Sequence, residues 1–204
     1  MPGTVATREL SRVFLLSPAN CGGERARIVM GPRADFPLAR RLRARGGAPL
    51  GEVFTFMSGL YFRGKLTYAR AFAAPPATGG AGVFVITADS GLLDPDTPVT
   101  LAVLRAAARV DISLTNPRYR RPLEATARVL AGAVGPACEV VLLGSVASDK
   151  YVSILGNVFG ERLRFPAEFA GRGDMSRGGL MLRCVAEGRQ LTYVPLAGAA
   201  RHGP

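Results

Sequence analysis

Apolar positions along this chain fall into two patterns, short unbroken runs and positions repeated every three or four residues. The alternation of the two predicts strands alternating with helices. Residues 12–17 hold an unbroken run, Val13-Phe14-Leu15-Leu16, the pattern of a strand buried on both faces. The run ends in Ser17-Pro18-Ala19-Asn20-Cys21-Gly22-Gly23, a polar turn of the kind that α/β folds place against ligands. Residues 24–30 predict a short helix, 36–45 a second, and 52–58 the next strand. Beyond Gly59, the positions Leu66, Ala69, Phe72 and Ala73 fit helical spacing. The clearest strand covers 82–88 and ends in Asp89-Ser90-Gly91. Residues 101–109 predict a helix, 111–117 an extended connection, and 119–134 a long amphipathic helix with Leu123, Ala127, Leu130 and Val134 inward. A further buried strand, 138–143, ends in Gly144-Ser145. After it come a helix over 147–158, a short strand over 162–166, a helix over 179–185 and a last strand over 191–194. The sum is one α/β domain over 1–204, three-layered and Rossmann-like, with a mostly parallel central sheet and helices on both faces. Residues 1–10 and 198–204 read as poorly ordered ends.

A hydrophobic content of 48% with 20% charged residues is that of an ordinary globular protein, but the formal net charge of +11 is not. The excess is arginine, since Lys65 and Lys150 are the only lysines. Arginine suits planar, bidentate recognition of phosphate and bases, which favours a nucleotide or nucleic-acid partner; GC-rich coding would leave the same composition without any such role. Arg40, Arg41, Arg43 and Arg45 make one basic helix face, and Arg118, Arg120 and Arg121 surround Tyr119. Each reads either as a solvated face or as a surface that tracks phosphates. No apolar run has the length of a membrane span and no secretory leader opens the chain, so a cytoplasmic protein without a membrane partner is expected. The three cysteines Cys21, Cys138 and Cys184 lack metal-ligand spacing, and their odd number speaks for a reducing compartment. The single histidine, His202, stands near the C-terminus. Ser-His-Asp and Cys-His catalysis and the usual His-containing zinc sets are thereby disfavoured, and acid–base work falls to carboxylates, Tyr, Lys, Cys or water. No metal site is expected.

The stretch Gly171-Arg172-Gly173-Asp174-Met175-Ser176-Arg177-Gly178-Gly179 is the foremost candidate for a ligand loop, with Gly171, Arg172, Gly173, Ser176 and Arg177 as contacts and Asp174 as an acid; it reads instead as a glycine-rich connection into a helix if Asn20 and Asp89 do not face it. It lacks the third glycine of the dinucleotide fingerprint, and no Gly-x-x-x-x-Gly-Lys-Ser/Thr loop occurs, so no nicotinamide or flavin cofactor is expected. Asp89 stands at the carboxyl end of a predicted central strand, where it reads as a catalytic or ribose-binding acid or as a cap of its own turn. Arg63 and Lys65 near a predicted helix start oppose the helix dipole, a cost that makes sense against an anion; the pair reads equally as salt-bridged surface residues. Cys21 is a nucleophile only if Arg25 or a helix N-terminus lowers its pKa; otherwise it is a packed thiol.

Three segments carry a resemblance: Ser17-Pro18-Ala19-Asn20-Cys21, Ser58-Gly59-Leu60-Tyr61-Phe62-Arg63-Gly64-Lys65 and Thr87-Ala88-Asp89-Ser90-Gly91-Leu92-Leu93-Asp94. Over its first half the chain resembles a group of uncharacterised bacterial and phage Rossmann-like domains, distantly similar to the uracil-DNA-glycosylase-like fold. Asp89 departs from that group's pattern, which has a basic or aromatic residue there. The resemblance implies action on a nucleobase or its glycosidic bond. Such chemistry needs a carboxylate, an aromatic to stack on the base, and donors for phosphate or base edge. Asp89 and Asp174 supply the first, Tyr61 or Phe62 the second, and Arg63, Lys65, Arg172 and Arg177 the third, with Ser17, Asn20, Cys21, Arg25, Ser90 and Gly91 lining the turns. The expectation is therefore an enzyme acting on a nucleobase, nucleotide or nucleic acid. The alternative is a non-catalytic nucleic-acid-binding or nucleotide-sensing module. Convergence of Asn20, Asp89 and Asp174 on one pocket favours the enzyme; scattered acids beside an arginine stripe favour the module.

Overall fold

The computed structural model describes residues 11–146 and 149–196, and over these the chain is α/β. In order the elements are β1 (Arg12–Leu16), α1 (Glu24–Met30), α2 (Pro37–Arg43), β2 (Ala48–Pro49), α3 (Leu50–Ser58), α4 (Leu60–Phe72), β3 (Val83–Ile86), β4 (Leu92–Leu93) and β5 (Pro98–Val99). There follow α5 (Leu101–Ala107), α6 (Pro117–Val134), β6 (Glu139–Leu143), α7 (Asp149–Phe159), β7 (Leu163–Pro166), α8 (Asp174–Ala186) and β8 (Tyr193–Pro195). Six strands form one sheet in the order β4-β3-β1-β6-β7-β8, and β2 pairs with β5 apart from it. β3, β1, β6 and β7 are parallel, whereas β4 and β8 are antiparallel to their neighbours at the two edges. The unbroken apolar runs take the centre because only strands enclosed on every side can use them: Val13 to Leu16 and Val140 to Leu143 are all fully buried. From β1 the chain passes to β3 on one side and then to β6 on the other. The order therefore reverses between β1 and β6, and open parallel sheets bind ligands beyond the carboxyl ends of such strands.

Two segments depart from the sequence reading. Residues 52–58, expected as a strand, lie in α3, because Leu50, Val53, Phe54 and Met57 recur at helical intervals and all four are buried on one face. The helix expected from 179 begins at Asp174, so the second half of the glycine-rich loop is helical. Its glycine content has a packing cause. A Cβ on Gly178 would lie 2.8 Å from the Leu60 carbonyl oxygen, and one on Gly64 would lie 2.7 Å from that of Gly178, so α4 and α8 cross with their backbones in contact. The expectations for 1–10 and 198–204, for Ala147 at the start of a helix and for His202 lie outside the described residues. Among the described residues no helix is long and apolar enough to cross a membrane.

Candidate functional site

The turns that follow β1 and β3 face each other over a cavity of about 450 Å³. Pro18 to Gly22 form one wall and Thr87 to Ser90 another, while Leu50 and Phe54 of α3 and Val103 and Leu104 of α5 supply an apolar floor. Both turns are held in shape by their own polar groups. Asn20 Oδ1 accepts from Gly22 N–H at 2.9 Å, which folds the first turn back on itself. Thr87 Oγ1 donates to the Gly91 carbonyl at 2.8 Å and accepts from Ser90 N–H, closing the second. Gly91 seats that turn on α6: its φ is +69°, and a Cβ would come within 2.2 Å of Thr126 Oγ1, the atom that accepts from Leu92 N–H. Ser90 Oγ donates to Asp89 Oδ1 at 3.1 Å, orienting the carboxylate at the rim. Lys150, on the first turn of α7, brings a cation to the same rim. The result is an apolar slot with a carboxylate, an amide, a thiol and an ammonium at its mouth, the composition of a site for a small ligand.

The residues singled out from the sequence separate into distinct groups. Asn20, Cys21, Asp89 and Ser90 converge on the cavity. Ser17, Tyr61 and Lys65 gather instead behind the first turn, at the ends of β1 and β6, where Lys65 Nζ donates to Ser17 Oγ and to the Ser17 carbonyl. Asp174 is turned toward this second group and acts electrostatically on Lys65 and Tyr61. It pairs with Arg177 at 3.7 Å and does not line the cavity. Arg25 and Arg63 flank Gly59 in a separate shallow depression. Phe62, expected to stack on a base, is fully buried and packs edge-on against Phe54. The arginines of the 171–179 stretch tie its backbone down: Arg172 Nε donates to the Glu168 carbonyl at 2.9 Å, and Arg177 donates twice to that of Phe169. Gly171, Arg172, Gly173 and Ser176 are exposed and away from the cavity. The basic face of α2 is likewise engaged, Arg40 with Asp35 and Arg41 with Glu52.

Two residues of this region escaped the sequence reading. Lys150 carries no pattern of its own, and Tyr151 lies within the helix expected over 147–158 with nothing to mark it. The signal for both was the Gly144-Ser145 end of β6, a strand end like those that marked Asn20 and Asp89. Burial, and next the Asp89 carboxylate, push the Cys21 thiol up to about 11, so it is protonated at neutral pH. Alkylation of Cys21 by iodoacetamide at pH 7.5 is accordingly expected to be at least about 10-fold slower than for a free cysteine, whose pKa is near 8.5. Peptide mapping of a time course measures this, and a free-thiol rate would contradict it. Among the described residues no group of three or more His, Cys, Asp or Glu could hold a metal ion. No family model matches the chain, and neither does any curated protein or solved structure.

Proposed function

We propose that this chain is an enzyme acting on a nucleobase, nucleotide or nucleic acid, with the base in the cavity beside Asp89 and the glycosidic bond as the candidate point of attack. The observation that carries the reading is the convergence of Asn20 and Asp89, with Cys21 and Ser90, from two separate strand ends on one apolar slot; Asp174, the third residue expected there, lies outside it, so Asp89 alone is left as the acid. The slot takes the faces of a planar ring, and the carboxylate accepts from a base-edge N–H or faces a developing oxocarbenium centre. Lys150 offers charge to a phosphate. The resemblance of the Ser17–Cys21 and Thr87–Asp94 segments to Rossmann-like domains supports it, since Pro18 to Cys21 and Thr87 to Ser90 of those segments line the cavity. A three-layer Rossmann-like arrangement of the helices about the sheet belongs to the same proposal.

Incubation with a panel of nucleosides and nucleotides, read by mass spectrometry for released base, tests the activity. Binding is followed in parallel at two salt concentrations to separate it from bulk electrostatics. Asp89→Asn should bind about 10- to 100-fold more weakly, the worth of one hydrogen bond to a charged group, and lose base release while its circular dichroism stays native. Binding unchanged in Asp89→Asn would remove Asp89 from the site. Tight binding without turnover by the unaltered chain would favour the sensing module.

A further inference from the structure

The carboxyl ends of β1 and β6 hold a second constellation, separated from the cavity by the Ser17–Pro18 step. Lys65 is 1% exposed, and its Nζ donates to Ser17 Oγ and to the Ser17 carbonyl, both at 2.7 Å. The rings of Tyr61 and Phe62 flank the amine at 4.5 and 4.9 Å. No carboxylate among the described residues pairs with it. Tyr151 of α7 bounds the far side, its Oη donating to the Ser145 carbonyl at 2.8 Å beside the Ser17 hydroxyl. Gly144 bears no side chain where one would collide: a Cβ there would lie 2.7 Å from Ser17 Cβ and 3.0 Å from both Ser17 Oγ and Tyr151 Oη. Tyr61 Oη is buried in the same region beside the Arg177 guanidinium, with no other hydrogen-bond partner among the described residues. An enclosed lysine whose acidic neighbour, Asp174, acts on it without pairing is costly, and an apolar side chain of the same length would fill the space without that cost.

We propose that Ser17 and Lys65 form a serine–lysine nucleophile pair that transfers the acyl group of a carboxylic ester or amide. Neutral Lys65 Nζ takes the Ser17 proton as Oγ bonds to the carbonyl carbon. The bond to the leaving group then breaks, and the Lys65 ammonium returns the proton to the departing oxygen or nitrogen. Water attacks the acyl-Ser17, passes its proton through Lys65 to Oγ, and releases the carboxylic acid, with nothing oxidised or reduced. Phosphoryl transfer fits less well: the pair works with Lys65 neutral, and Arg177, the neighbouring cation, is engaged by the Phe169 carbonyl, to which Nε and Nη2 donate, and by Asp174, which pairs with Nη1 at 3.7 Å. Burial lowers the Lys65 pKa to about 7, with Asp174 opposing the shift, so the free base is present at neutral pH. The other groups about the amine are Tyr61, Tyr151 and Arg177, and burial holds both phenols neutral.

The test is reaction of the full chain with a fluorophosphonate probe, read by intact mass and peptide mapping; it needs no nucleotide and so is independent of the cavity's function. The expected result is an adduct on Ser17 whose rate rises with pH to a plateau with a midpoint near 7. It should be absent in Ser17→Ala, slowed about 100-fold or more in Lys65→Met, the usual worth of a general base, and blocked in Gly144→Ala. The unaltered chain decides the matter even where a variant fails to fold. No Ser17 adduct between pH 7 and 9, or a rate without a midpoint near 7, overturns the proposal, as does an adduct formed at full rate in folded Lys65→Met.

Discussion

Gly178→Val is expected to destabilise the chain by about 3 kcal/mol or to prevent folding, at the upper end of what overpacking costs. The cause is the crossing of α4 and α8. Against a Cβ at 178 stand the carbonyl oxygen of Leu60 at 2.8 Å and the Cα of Tyr61 at 3.0 Å, both backbone atoms of α4. Backbone inside a helix cannot rotate aside as a side chain can, so the helices must separate. Separation would loosen the contacts of Tyr61, Lys65 and Met181, which are buried about the same interface. The neighbouring glycine is the control. A Cβ at 179 meets only the mobile end of Arg183 at 3.5 Å, so Gly179→Ala should gain up to about 1 kcal/mol from helix propensity alone. Urea unfolding of the two variants beside the unaltered chain measures both. If Gly178→Val lies within 0.5 kcal/mol of the unaltered chain, beneath the usual range for an overpacked core, the close crossing is wrong.

Those same glycines mark where sequence reasoning stops. Gly178 and Gly179 sit in a stretch whose glycine and arginine content reads as a ligand loop, because composition reports backbone freedom without saying what uses it. Here the freedom at 178 admits a helix, and Gly64, 114 positions earlier in the sequence, is its partner in the crossing. β1, β3 and β6 were legible because strands enclosed on every side carry unbroken apolar runs, which leaves few alternatives. The 50–58 segment was not, since a short apolar run serves a buried strand and a buried helix alike; only the intervals of Leu50, Val53, Phe54 and Met57 separate the two. Of the cavity, the strand-end residues Asn20, Cys21, Asp89 and Ser90 were accessible to the rule that places ligands beyond parallel strands. Its apolar floor was not, because Phe54 and Leu104 reach it from helices whose docking no local pattern encodes. In the sequence Lys65 is a cation near a predicted helix start. Its burial against Ser17, 48 positions away, depends on the packing of α4 beneath the sheet end.

That burial carries the second large effect, a pH dependence of stability assigned to one amine. The folded chain holds Lys65 at a pKa of about 7, against an ordinary lysine value near 10.4 in the unfolded chain. Between these values the unfolded state binds the proton and the folded state does not, so stability rises with pH through the window, by about 1.4 kcal/mol per unit at most. Below about pH 6 both states are protonated and the slope vanishes. Above pH 9 the raised Tyr61 and Tyr151 and the raised Cys21 oppose it, because there the folded chain retains protons that the unfolded one loses. The window is therefore pH 7 to 9, and the comparison is with Lys65→Met, in which every other titration persists and cancels. Relative to that variant, the unaltered chain should gain about 2–3 kcal/mol across those two units in urea unfolding. Parallel curves for the two proteins would mean that the amine is solvated or ion-paired, against the enclosure by Ser17, Tyr61 and Phe62. A slope of the expected sign should share its lower limb with the Ser17 labelling profile, because the proton absent from folded Lys65 above pH 7 leaves the lone pair that accepts the one on Ser17.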